Sequence, residues 1–192
     1  MRKARIARVL GVVGALGALT VVGVSGGSAT AKTAAAKPGV SKVKIEFVRR
    51  DKDLFFDAPE SVPAGDILKI KNNTNPRAIG PHTFSLVREE DLPQSRKEIK
   101  ACEKEFAGIC GAIAKWHDVD PQTGEVGENP VEVGKNGWDR KGSLKRKGDS
   151  WFTATKGEKF GREVTAEPGK ELYFICAVHP FMQGEIDVVE GS

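Results

Sequence analysis

Tyr173-Phe-Ile-Cys176-Ala-Val-His179-Pro-Phe-Met182-Gln-Gly184 decides how the rest of the chain is read. Leu172, Phe174 and Cys176 alternate on one face, so Leu172 to Ala177 reads as an apolar strand. Directly after it come His179 and Met182, in the spacing Cys-x-x-His-x-x-Met. A turn placed there can fold a thiolate, an imidazole and a thioether around one point. Pro180 fixes φ and offers no N–H, which stiffens that turn. The donor set is soft to borderline and suits copper, which in such sites takes a second histidine and a long axial methionine.

Only three histidines are available to complete the set: His82, His117 and His179. His82 lies near the start of a strand, Pro81 to Arg88, in which His82, Phe84 and Leu86 share one face. It therefore points inward with apolar neighbours. His117 stands in Trp-His-Asp inside a polar region, where a surface position is expected. The candidate ligands for one copper ion are therefore His82, Cys176, His179 and Met182. Taken singly, His82 or Met182 would read as ordinary core, and Cys176 as a buried apolar residue.

Working outward, Val43, Ile45 and Phe47 alternate in a half-buried strand, and Ile67 to Lys71 forms another after the turn at Val62-Pro-Ala-Gly-Asp66. Trp151-Phe-Thr153 and Gly184 to Glu190 are further strands. Short strands separated by Gly/Pro turns indicate an all-β sandwich. Residues 89–149 differ and form a helical and loop insertion. Ser95-Arg-Lys-Glu98 is a capping box that opens a helix running to about Phe106. Residues 103–132 hold seven acids and two bases, and residues 135–162 hold nine bases and three acids. A solvated insertion whose halves attract each other is the expectation, with a docking surface for a charged partner as the alternative.

The N-terminus reads as an export signal. Arg2, Lys3, Arg5 and Arg8 precede an uncharged run, Val9 to Val24, and Ala29-Thr-Ala31 supplies a cleavage pattern. The expected division is a signal peptide at 1–31, a flexible leader at 32–40 and one domain at 41–192. An uncleaved anchor is the alternative. Export by the general secretory route puts the domain in a periplasm, at a cell surface or outside the cell, with no membrane span once the signal is removed. Without the signal's four bases, the 30 Lys and Arg fall to the number of acids, 26, so bulk charge gives no argument for nucleic acid. In an oxidising compartment cysteines pair. Cys102 and Cys110 are the local pair, and Cys176 is left for the metal.

With these motifs in place, the chain resembles the cupredoxin family of plastocyanin, pseudoazurin and amicyanin, over about residues 41–88 and 150–190. The loop Cys176-Ala-Val-His-Pro-Phe-Met182 is most similar to that of amicyanin. Val62-Pro-Ala-Gly-Asp66, Asn72-Asn73, Pro81-His82 and Ala166-Glu-Pro-Gly-Lys-Glu-Leu-Tyr-Phe174 also fit. The resemblance implies a Greek-key β-sandwich with one type 1 copper at one end. It also implies a one-electron carrier, not an enzyme, that meets redox proteins transiently as a monomer. His179 would be the partly exposed exit for electrons, with Pro180 and Phe181 in an apolar contact patch around it. The residue after His82 is Thr83, where family members often carry Asn. Its N–H can still donate to the Cys176 sulfur, and the side-chain tie across the site stays open. A copper carrier or scavenger and a metal-free cupredoxin-like interaction domain are the other readings.

Overall fold

The computed structural model describes residues 38–48, 53–134 and 136–191. The proposed signal peptide and most of the leader lie outside the described residues. Among the described residues, no helix is long and apolar enough to cross a membrane.

Among the described residues, nine strands form two sheets. They are β1 (Val40–Val48), β2 (Asp53–Asp57), β3 (Ser61–Pro63), β4 (Ile67–Asn72), β5 (His82–Val87), β6 (Ser150–Thr153), β7 (Lys159–Glu163), β8 (Glu171–Ile175) and β9 (Gln183–Val189). One sheet runs β2-β1-β4-β7 and the other β3-β9-β8-β5-β6. Strands β1 and β4 pair in parallel, as do β3 and β9, while the remaining pairs are antiparallel. The main core takes Leu68 and Ile70 from the first sheet and Phe84, Leu86, Leu172, Phe174, Ile186 and Val188 from the second. Side chains of both inner faces thus meet in one layer, which makes a β-sandwich. Gly184 lies opposite Phe174 in the β8–β9 register, and a Cβ there would come within 2.5 Å of the Phe174 ring. The glycine lets that ring cross the neighbouring strand.

All six residues of β5 are buried, because the sheet is covered on both sides. The inner face carries Phe84 and Leu86. The outer face is covered by the insertion, a correction to the solvated reading of 89–149. The insertion contains α2 (Arg96–Glu105) and α3 (Ile109–Trp116). Its residues Cys102, Ile109, Cys110, Ile113, Trp116 and Val131 build a second core against Val87, Ile175 and Ala177. The physical reason is a helical stripe: Ile109, Ala112, Ile113 and Trp116 fall at i, i+3, i+4 and i+7, and all are buried. The Ser95/Glu98 capping box forms, and Phe106 ends α2 in a left-handed conformation. Cys102 and Cys110 are disulfide-bonded and link α2 to α3.

The charge asymmetry has a local expression. Glu128 pairs with Lys147, and Glu132 with Arg162. Both pairs sit near the surface, so each adds little stability. More of the insertion's order comes from buried groups. The Asp149 carboxylate accepts main-chain N–H bonds from Val133, Asp139 and Arg140. Trp138 enters the main core, where its Nε1–H donates to the Leu68 carbonyl at 3.1 Å. The insertion therefore supplies part of both cores.

Candidate metal centre

Cys176 lies one residue beyond β8 and His82 is the first residue of β5. The antiparallel β5–β8 pairing brings these ends together. The loop after Cys176 closes through two main-chain bonds: the Met182 N–H donates to the His179 carbonyl at 2.8 Å, and the Cys176 N–H to the Met182 carbonyl at 3.0 Å. This folds His179 back over Cys176. Cys176 Sγ stands 4.0 Å from His82 Nδ1 and 3.7 Å from His179 Nδ1. The imidazole centroids are 4.9 Å apart. One donor atom from each of the three residues lies within 4.8 Å of the others, the only such group of His, Cys, Asp and Glu among the described residues. Met182 is buried in the same core cluster as Cys176. The sequence-predicted His82, Cys176 and His179 are thus brought together, with Met182 closing their loop.

Hydrogen bonds orient the centre from outside. His179 Nε2 lies 3.0 Å from the Ile79 carbonyl. A carbonyl only accepts, so Nε2 carries the proton and Nδ1 keeps its lone pair. Ile79 ends α1 (Pro76–Ile79), which Asn75 caps through its side chain. Gly80 follows with φ +98, and a Cβ there would lie 3.7 Å from the His179 ring. His179 is only partly exposed, with its outer nitrogen tied to the chain.

Thr83 makes both contacts that the sequence raised. Its N–H donates to Cys176 Sγ at 3.4 Å, and its Oγ1 accepts from the Ala177 N–H at 2.8 Å. The threonine hydroxyl therefore ties the His82 strand to the ligand loop. Thr83→Val keeps the main-chain contact to sulfur but leaves the buried Ala177 N–H unpaired. The expected cost is about 1–3 kcal/mol, measurable as a lower urea midpoint at unchanged denaturant slope.

Burial sets the protonation of the centre. It pushes His82 down to about 4, with the neighbouring His179 adding to the effect. It lowers His179 too, against the Ile79 bond and the Glu103 charge, which raise it. It pushes the Cys176 thiol up, while N–H groups of Thr83, His179 and Val178 pull it down. Near neutral pH the site offers two neutral imidazoles and a thiol, and a metal that takes the sulfur must displace its proton. Two imidazole nitrogens and one sulfur that converge in a largely buried site fit a copper ion.

Two expectations change. His117 is buried, not at the surface: its ring nitrogens lie 2.8 Å from the Glu128 carbonyl and 2.7 Å from Ser150 Oγ. It joins the insertion to β6, because a polar side chain buried there must be paired. Pro180 is buried as well, and its carbonyl accepts from Gln183 Nε2 at 2.7 Å. Of the expected contact pair, only Phe181 faces outward, 50% exposed. Sequence reasoning missed Thr74, Ile79 and Gln183 around the site. The Asn72-x-Thr74 pattern is a side-chain turn signal that marks one of them.

No family model matches the chain, and no curated protein matches it. Among solved structures it is similar to the "Novel Purple Cupredoxin from Nitrosopumilus maritimus", at 12% identity and TM-score 0.38, over 77% of this chain and 98% of that one. It is similar to dithionite-reduced auracyanin from Roseiflexus castenholzii, at 13% identity and TM-score 0.41, over 80% of this chain and 98% of that one. It is also similar to auracyanin A, described as a "blue" copper protein, from Chloroflexus aurantiacus, at 18% identity and TM-score 0.41, over 79% of this chain and 99% of that one. What the centre can do follows from its own donors. The two sheets form a β-sandwich that carries a His–Cys–His cluster where β5 begins and β8 ends.

Proposed function

We propose that the protein is an exported one-electron carrier in which His82, Cys176 and His179, with Met182 as a further and weaker donor, would hold one type 1 copper ion. The observation that carries this reading is the convergence of both Nδ1 atoms on Cys176 Sγ in a buried site. The copper would supply the chemistry by alternating between its two oxidation states. The protein's own residues supply a rigid, dry setting. His82 is fixed on a strand packed on both faces. His179 is held by the Ile79 carbonyl, and the ligand loop is cross-linked by its own main chain and by Thr83. A site that cannot rearrange favours electron transfer over release of the metal. Hydrogen bonding at the Cys176 sulfur would tune the potential.

A copper enzyme with a second, histidine-built copper centre would lack donors in this chain, since His117 is the one histidine left and its two nitrogens are bonded to Glu128 and Ser150. Redox partners would meet the protein briefly at Phe181, whose ring centroid is 6.0 Å from that of His179. The basic and apolar N-terminus and the buried disulfide support export to a periplasm, a cell surface or the medium.

Voltammetry of the copper-loaded chain, with and without a competing chelator, tests this function. A reversible one-electron couple with copper retained is expected. Copper stripped by the chelator would indicate a carrier or scavenger of the metal. A chain that takes up no copper would indicate a metal-free interaction domain.

A further inference from the structure

A line of hydrogen-bonded side chains leads from His82 to the protein surface on the side away from Cys176. Thr74 Oγ1 is 2.9 Å from His82 Nε2 and 2.7 Å from Asn72 Oδ1. The Thr74 N–H also donates to Asn72 Oδ1, at 2.9 Å, which identifies that atom as the amide oxygen. A hydroxyl has one proton, and the amide oxygen has none to give. The Thr74 proton therefore goes to Asn72, and Thr74 Oγ1 must accept from His82. Nε2 of His82 then carries its proton, and Nδ1, the atom facing Cys176, keeps the lone pair.

The same direction continues beyond Asn72. Its Nδ2 donates to Thr153 Oγ1 at 3.3 Å, and Thr153 Oγ1 donates to the Glu158 carboxylate at 2.6 Å. His82, Thr74, Asn72 and Thr153 are buried, while Glu158 is partly exposed. Every donor in the line points away from His82 and toward a carboxylate. The line also crosses from β4 in one sheet to β6 in the other. Bonds aligned in this way polarise one another.

We propose that Thr74 is a positioning residue that selects the Nε2–H form of His82, and that Asn72 and Thr153 connect this imidazole to the charge of Glu158. The inference rests on the reading of His82 as a copper ligand. A proton held at Nε2 leaves Nδ1 free for the metal, and a carboxylate at the far end makes Nδ1 a stronger donor. His179, by contrast, has a main-chain carbonyl at the equivalent nitrogen, so its Nε2 proton is held by the backbone and not by a side chain.

The test begins with the metal-free full chain, labelled with nitrogen-15, in long-range proton–nitrogen NMR near neutral pH. His82 is expected as a single Nε2–H form. Thr74→Val is expected to release it to a mixture of both forms, and Thr74→Ser to restore it. Cu(II) affinity should fall about 10- to 100-fold in Thr74→Val and recover in Thr74→Ser. Glu158→Gln, at the surface, should lower it by a smaller factor. A wild-type His82 protonated at Nδ1 would overturn the proposal. So would Thr74→Val with unchanged tautomer and affinity. Should Thr74→Val fail to fold, a wild-type affinity in Glu158→Gln overturns the link to the carboxylate. A chain that binds no copper, yet whose His82 form depends on Thr74, sinks the copper reading and leaves the role of Thr74 standing.

Discussion

Cys176→Ala is expected to give a folded chain that shows no intense visible band with Cu(II). Cys176 is fully buried and contributes the only sulfur among the three clustered donors. In a type 1 site the strong colour arises from charge transfer between thiolate and copper, so removal of the sulfur should abolish it entirely. His82 and His179 would remain as two imidazoles, able to hold copper only weakly. The structural cost should be modest, about 0.5–3 kcal/mol, because one sulfur is lost while the two main-chain bonds that close the loop stay. Circular dichroism should match the parent chain. A variant that kept the full band would show that the sulfur is not a ligand.

The largest stability effect is expected at Trp138. The side chain is 1% exposed and meets Phe84 and Phe160 edge-on, at centroid separations of 5.4 and 5.7 Å. Trp138→Ala removes this packing and the Nε1–H bond to the Leu68 carbonyl. Large-to-small changes of this kind cost about 3–5 kcal/mol, a large share of the roughly 5–15 kcal/mol that holds a typical domain together. Equilibrium unfolding in urea should show the loss as a greatly lowered midpoint. Trp138→Phe keeps an aromatic ring in the core and should recover most of it. A Trp138→Ala midpoint close to the parent value would mean that the insertion only rests on the sandwich and does not fill it.

These two residues mark what the sequence makes legible. Cys176 is readable because the alternation of Leu172, Phe174 and Cys176 fixes its face, and the fixed spacing to His179 and Met182 fixes its company. His82 is readable for the same reason, through Phe84 and Leu86. The Ser95/Glu98 capping box and the Cys102–Cys110 bond follow from short-range patterns and form as expected. Trp138 belongs to no periodic segment. It sits between Gly137 and Asp139, in a run of polar residues, and only the tertiary fold carries it to Leu68. His117 misleads in the same way, since its polar neighbours in sequence are not its neighbours in space. The stripe of Ile109, Ala112, Ile113 and Trp116 has the spacing of a buried helix face, which the acidic residues around it over 103–132 mask in a charge count. Thr74 is beyond sequence reading in another sense. Its role depends on the proton inventory of three side chains that meet only in the folded chain.

The visible absorption spectrum after addition of Cu(II) and removal of excess metal tests the central claim most directly. A type 1 copper site on His82, Cys176 and His179 should give an intense blue band that bleaches with a mild reductant and returns on oxidation. A colourless chain that is folded by circular dichroism and retains no copper would contradict it.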